Sequence, residues 1–317
     1  MLPRAAAKAA DLALEATVAG SFTSVGYRVR STLGKWPPLS SYDLAGRSVL
    51  VTGATSGLGA ASAASFVELG AQVLVLGRDP DRTAAAAQRL GAEPIIADLA
   101  DLGAVRRAAE QIRALLPDGL DVLVHNAGAL TADYTQTVDG LELTYATHVV
   151  APFLLTHELL PALRARPGSR VITVSSGGMY TQALPDAVAE RAQDYDGVRA
   201  YAKAKRAQVV LNAQWAARHP EVVFQAMHPG WADTPGVVTS LPTFHRVVGP
   251  LLRTSQEGAD TIVWLAAASE PLTGSGRFWL DRTPRSVVRL PGTATTPERA
   301  AALWDAVARD AGVPTFT

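Results

Sequence analysis

From residue 48 onward, short apolar runs alternate with Ala-rich amphipathic stretches, and few architectures accommodate that alternation. The runs fall at 48–52, 72–76, 94–97, 121–125, 170–175, 222–227 and 276–280. Each is too short for a helix and apolar at successive positions, the pattern of a strand covered on both faces. The stretches between them, near 57–69, 80–90, 101–116, 138–163, 198–218 and 256–268, read as helices. Strands alternating with helices predict an α/β fold, a doubly wound parallel sheet of about seven strands with helices on both faces. Right-handed crossovers place ligands outside the carboxyl ends of the strands.

A turn rich in glycine, Thr52-Gly53-Ala54-Thr55-Ser56-Gly57-Leu58-Gly59, follows the first run. Gly53 permits the sharp turn, Gly57 lets backbone approach a pyrophosphate, and Gly59 lets the helix sit close to the sheet. With a strand before it and a helix after it, the loop predicts a Rossmann-type dinucleotide site in which Thr55, Ser56 and Leu58 also face the cofactor. After the second strand, Gly77 stands where an NAD site carries an acid, and Arg78 follows. Arginine suits a 2′-phosphate, so NADP(H) is favoured over NAD(H). A surface arginine paired with Asp79 or Asp81 is the plainer alternative. Asp98-Leu99 stands where adenine is read. Asn126-Ala127-Gly128 ends the fourth strand, Asn126 pinning neighbouring strands and Gly128 admitting cofactor; ordinary turn chemistry is the alternative for both sites.

Ser175-Ser176 ends the fifth strand, and Tyr201 and Lys205 lie four apart on one face of the following helix. A free tyrosine is a poor base at neutral pH, and an ammonium nearby favours its phenolate. Tyr201 then exchanges a proton with a carbonyl or alcohol oxygen that Ser176 also hydrogen-bonds, and Lys205 also holds the cofactor ribose. Tyr180 and Tyr195 lack a lysine four residues on and are read as loop or pocket-lining residues. Pro229-Gly230 makes a turn after the sixth strand. Thr234 is placed to bind the nicotinamide carboxamide, and 235–255 form a cover made apolar by Trp231, Leu241 and Phe244.

These motifs together resemble the short-chain dehydrogenase/reductase superfamily, in its Gly-x-x-x-Gly-x-Gly branch, over about 45–285. Segments 170–179, 227–237 and 275–278, with Asp281-Arg282, are similar to dehydrogenase/reductase family member twelve and its bacterial relatives. The resemblance implies Ser176, Tyr201 and Lys205 as the catalytic set, and NADP-linked chemistry on a carbonyl or alcohol. One position departs from the superfamily pattern: His148 stands where an asparagine commonly connects the lysine to solvent. Its imidazole reads either as part of a proton relay or as a core histidine.

The chain divides into a helical leader (1–44), the NADP-binding catalytic domain (45–285) and a C-terminal extension (286–317). Trp36-Pro37-Pro38 breaks the leader. Its first twenty residues read as one Ala-rich amphipathic helix. Asp11 and Glu15 interrupt the apolar core a signal peptide needs, so packing on the body is favoured over loose membrane association. In the extension, Thr296 and Pro297 begin a short helix anchored by Leu303 and Trp304.

Composition narrows the functions. Formal net charge is zero, which argues against a nucleic-acid partner. There is no cysteine, so thiolate and Cys-zinc chemistry are excluded, and no metal site is expected. No apolar run is long enough to span a bilayer, so a cytoplasmic protein is expected, with peripheral membrane association through 1–44 as the alternative. The expected partner is a small apolar carbonyl or alcohol, and the Ala-rich stretch 198–218 offers a face for a homo-oligomer. A catalytically silent NADP(H)-binding sensor or scaffold is the alternative function. An epimerase or dehydratase fits less well, because its usual Gly-x-x-Gly-x-x-Gly spacing differs from 53, 57 and 59.

Overall fold

The computed structural model describes residues 4–128, 130–240 and 242–314. In chain order the elements are α1 (Arg4–Glu15), α2 (Val18–Phe22), α3 (Ser24–Gly34), β1 (Ser48–Thr52), α4 (Gly57–Glu68), β2 (Gln72–Gly77), α5 (Pro80–Leu90), β3 (Glu93–Ile96), α6 (Leu102–Leu115) and β4 (Val122–His125). Then follow α7 (Leu143–Tyr145), a π turn (Ala146–Val150), α8 (Ala151–Arg164), β5 (Arg170–Val174), α9 (Gly197–Arg218), β6 (Val223–Met227), α10 (Pro235–Ser240), α11 (Pro242–Val248), α12 (Ser255–Ala267), β7 (Arg277–Leu280), β8 (Thr283–Pro284) and α13 (Pro297–Asp310). The sheet order is β3-β2-β1-β4-β5-β6-β7-β8. Strands β1 to β7 run parallel, and the direction of winding reverses between β1 and β4. That switch point opens a crevice at the strands' carboxyl ends.

Burial explains why the runs are apolar throughout. All five residues of β1 are buried. Leu50, Leu74 and Leu123 pack toward α6, α8, α9 and α13 on one face. Val49, Val51, Val73 and Val124 pack with α4 and α12 on the other. At about 25 cal/mol per Å² of apolar surface, these two cores supply most of the drive to fold.

The sheet has eight strands where about seven were expected, and the last, β8, runs antiparallel to β7. The two-residue hairpin between them places Asp281 at φ 53° and Arg282 at φ 54°. Two left-handed residues in a row are a glycine or asparagine signature, and neither is present here. Aspartate enters this region at modest cost, whereas Arg282 carries about 1–2 kcal/mol of backbone strain, offset by ion pairs. Asp281 takes Arg30 at 2.7 Å and Arg253 at 2.6 Å, and Arg282 takes Asp260 at 2.7 Å.

The helix expected over 138–163 starts at Leu143 instead. Gly140 turns at φ 75°, and Glu142 caps the new start by accepting from the Thr144 and Tyr145 amides. Within the helix, Pro152 has no N–H to give the His148 carbonyl one turn back. Gln208 takes that carbonyl at 2.7 Å, and Ala151 donates to Ala146, five residues back. The π turn around His148 therefore has an identifiable cause in Pro152.

Nor is the leader a single helix up to residue 20: α1 ends at Glu15, and Thr17 caps α2 by accepting from Gly20. The leader packs on the body through Arg30, which donates to Asp11, Glu15, Ser21 and Asp281. At the other end, Thr296 caps α13 and Pro297 opens it. Trp304 lies 4.7 Å from Trp215 of α9 and 4.8 Å from Phe153 of α8, ring centre to ring centre. The α9 face offered for pairing two copies is thus covered in part by the chain's own α13.

Candidate active site

Asp196 starts α9 by accepting from the Arg199 amide, which sets Tyr201 and Lys205 on its second and third turns. Reciprocal bonds then fasten the helix to β5. Ser175 Oγ donates to the Lys205 carbonyl, and Lys205 Nζ donates to the Val174 carbonyl, both at 2.9 Å. Burial brings the Lys205 ammonium down to about 7. Its Nζ stands 5.4 Å from the centre of the Tyr201 ring.

Ser176 stands close enough to Tyr201 to act on its phenol. Burial raises the phenol above its ordinary value, and the Ser176 side chain pulls the other way. Desolvation, rather than the lysine charge expected from the sequence, is the larger influence on this phenol. Ser176 Oγ also accepts from Gly178 N at 3.2 Å, which fixes the hydroxyl at the end of β5. The rival tyrosines are engaged elsewhere. Tyr180 donates to the Ser286 carbonyl, and the Tyr195 hydroxyl bonds Thr131 at 2.6 Å.

His148 is fully buried, and its ring meets Tyr201 edge-on, 5.4 Å between centres. A β-carbon at Gly128 would stand 2.3 Å from His148 Cε1. A side chain at 128 would therefore collide with the histidine. A small cavity of ≈ 30 Å³ is lined by His148, His125, Thr156, Gln208 and Asn212 among others.

At the switch point, Asn126 Nδ2 donates to the Thr52 and Gly53 carbonyls, and Thr52 Oγ1 accepts from the Asn126 and Ala127 amides. Asn126 thus ties β4 to the glycine loop. Gly53 and Gly57 take φ values of 68° and 55°, and a β-carbon at Gly59 would lie 2.3 Å from the Gly53 carbonyl oxygen. Ser56, the N-cap of α4, makes no side-chain capping bond, so the first amides of the helix stay available for an anion. Thr234 lies against Gly57, within 3.4 Å of where a β-carbon would be. These features fit the pyrophosphate of a dinucleotide.

Gly77 is buried, and a β-carbon there would meet Thr83 Oγ1 at 2.3 Å. An acid at 77 would have to displace Thr83. Arg78 is exposed and makes no ion pair among the described residues, while Asp79 caps α5. Asp98 is exposed, accepting from the Ala100 amide, and Leu99 is buried.

The Pro229-Gly230 turn is fixed by a residue that sequence reasoning missed. Arg253, 1 % exposed, donates to the carbonyls of Ser21, Phe22, Thr23 and Pro229 and to both oxygens of Asp281. Among the expected cover residues, Trp231 meets Phe244 at 5.1 Å between ring centres. Leu241 lies outside the described residues. Among the described residues no helix is long and apolar enough to cross a membrane, and no cluster suited to a metal ion occurs.

The family model described as short chain dehydrogenase matches residues 47–242. Dehydrogenase/reductase SDR family member 12 of Homo sapiens is 41 % identical over 254 residues, 76 % of this chain and 78 % of that protein. Polyprenol dehydrogenase of Mus musculus is 35 % identical over 281 residues, 82 % of each chain. The solved Pseudomonas aeruginosa RhlG/NADP active-site complex is 26 % identical with a TM-score of 0.62, over 77 % of this chain and 96 % of that one.

Proposed function

This chain belongs to the short-chain dehydrogenase/reductase family, whose members are NAD(P)-dependent oxidoreductases, and from that premise we propose that it interconverts an apolar carbonyl compound and its alcohol with NADP(H). The observation that carries the reading is the placement of Lys205 Nζ 5.4 Å from the centre of the Tyr201 ring, with Ser176 at the end of β5 and the glycine loop at the end of β1.

The loop Gly53, Thr55, Ser56, Gly57, Leu58 and Gly59 holds the pyrophosphate on the free amides of α4. Arg78 takes the 2′-phosphate, Asp98 and Leu99 border the adenine, and Pro229, Gly230 and Thr234 hold the nicotinamide end. Asn126 and Ala127 keep the loop in place, and Gly128 lets His148 close in behind it. When bound, NADP(H) supplies or accepts the hydride.

The proton is handled by the protein. In reduction the neutral phenol of Tyr201, held protonated by burial, gives its proton to the substrate oxygen. Ser176 donates a hydrogen bond to the same oxygen as negative charge gathers there. In oxidation Tyr201 takes the alcohol proton, and Lys205, when charged, favours the phenolate. The rings of Trp231 and Phe244 support an apolar substrate, as does the alcohol named for polyprenol dehydrogenase.

Tyr201→Phe tests this. A panel of aldehydes, ketones and alcohols is followed by NADPH absorbance. The variant is expected to bind NADPH as the parent does and to lose about 10²–10⁴-fold in kcat. Unchanged turnover in the variant overturns the assignment of Tyr201, and NADPH binding without turnover of any substrate by the parent favours a silent sensor or scaffold.

A further inference from the structure

The loops that leave β5 and β6 are joined by a residue from the far end of the chain. Phe22, the last residue of α2, is 3 % exposed and lies between them. On one side its ring presses on the turn after Ser176: a β-carbon at Gly177 would stand 2.4 Å from Phe22 Cε2. Only glycine fits there while the ring is in place. The next residue, Gly178, donates the amide hydrogen bond that holds Ser176 Oγ.

On the other side, the Phe22 carbonyl accepts from Trp231 N at 2.7 Å and from Arg253 Nε at 3.1 Å. The ring meets His228 at 4.5 Å and Trp231 at 5.9 Å between centres. A ring wedged this way fixes both strand ends. Its backbone holds the 229–231 loop, while its side chain backs the Gly177-Gly178 turn.

We propose that Phe22 is a positioning residue that aims the Ser176 hydroxyl at the reacting oxygen by bracing the Gly177-Gly178 turn. The proposal rests on the reading of Ser176 given above. It also gives the leader a part in catalysis, because α1 and α3 serve to hold α2 against the strand ends. Misplacing a catalytic group by a fraction of a bond length lowers turnover without touching cofactor binding. Removing the ring has that effect, since the hydrogen bonds to Trp231 and Arg253 come from the Phe22 backbone.

The experiment compares the full chain with Phe22→Ala, Phe22→Leu, Gly177→Ala, the Phe22→Ala/Gly177→Ala pair, and Ser176→Ala. NADPH titration by fluorescence counts folded sites, and kcat is expressed per site. Phe22→Ala is expected to lose about 10–100-fold in kcat with NADPH affinity unchanged, and Phe22→Leu to recover part of the loss. Gly177→Ala is expected to lose turnover in the parent and to regain part of it in the pair, where the ring no longer obstructs the added methyl. Parental kcat per site in both Phe22 variants, with Ser176→Ala impaired, overturns the positioning role alone. Parental kcat in Ser176→Ala overturns the reading of Ser176 and the proposal with it. If Phe22→Ala does not fold, Phe22→Leu and Gly177→Ala carry the same comparison.

Discussion

A β-carbon placed on Gly128 would stand 2.3 Å from His148 Cε1, so these two residues form a fitted pair beside Tyr201. Neither side yields easily. His148 lies in a π turn fastened by Gln208, and Gly128 follows the Asn126 bonds to the glycine loop. Gly128→Ala is expected to cost about 1–3 kcal/mol in urea denaturation, as overpacking does. It also moves His148 against the Tyr201 ring, so kcat falls. Adding His148→Asn, a smaller side chain, should recover most of the stability. Equal destabilisation by Gly128→Ala with either residue at 148 would show that the fit is not the cause.

In the proposed reading, cofactor choice turns on residues 77 and 78. Arg78 is exposed without an ion pair among the described residues, so a phosphate gains a charge-assisted bond at little cost elsewhere. Arg78→Leu is expected to raise KM for NADPH by roughly 10–100-fold and leave KM for NADH unchanged. The reverse change is harder. Gly77→Asp must displace the Thr83 hydroxyl, which is anchored to the Asp79 carbonyl at 2.6 Å, so it loses NADPH without gaining NADH. Equal losses with both nucleotides in Arg78→Leu would remove Arg78 from the site.

Much of this arrangement was legible in the sequence because it rests on local rules. A strand covered on both faces is apolar residue after residue, as in β1. The glycine loop and the spacing of Tyr201 and Lys205 follow from turn and helix geometry. What escaped was long-range or chemically disguised. Phe22 and Arg253 meet across most of the chain, and no periodicity joins them. The β7–β8 hairpin lacks glycine or asparagine at Asp281-Arg282, because ion pairs rather than turn propensity hold it. The late start of α7 was readable at Asp139-Gly140, a turn signal that the apolar pattern after it outweighed. The packing of His148 against Gly128 was not legible either, because a glycine shows that space is needed, not what fills it.

Lys205 makes stability depend on pH. Its ordinary value is 10.5, and burial in the folded chain lowers it to about 7. Between those values the unfolded chain holds more protons than the folded one, so stability rises with pH, by at most about 1.4 kcal/mol per unit. Below that window the cost of burying the charged amine is present in full. The urea midpoint of the chain without added nucleotide is therefore expected to climb from about pH 7 to about pH 9. The buried histidines His125 and His228 titrate below this range and the raised tyrosines above it. Lys205→Met should flatten the climb. Matching slopes in the parent and Lys205→Met would mean that another group is responsible.

Asp281 holds the leader to the sheet-bearing body, and its charge can be tested apart from its backbone. It is 1 % exposed and pairs with Arg30 of α3 and with Arg253, the arginine that grips Phe22 and Pro229. Asparagine is nearly the same size and tolerates the left-handed conformation as well as aspartate does, so Asp281→Asn removes the charge and leaves the turn. Two guanidiniums then lie buried with their counter-charge reduced, a change that costs about 3–5 kcal/mol where a buried pair is broken. The loss should appear in the denaturation midpoint and in NADPH affinity together, because Arg253 also shapes the loop that carries Thr234. Arg30→Met should weaken stability while sparing NADPH affinity, since Arg30 reaches the leader and Asp281 but not that loop. If the two variants affected NADPH affinity equally, the link from Asp281 through Arg253 to the cofactor would be wrong.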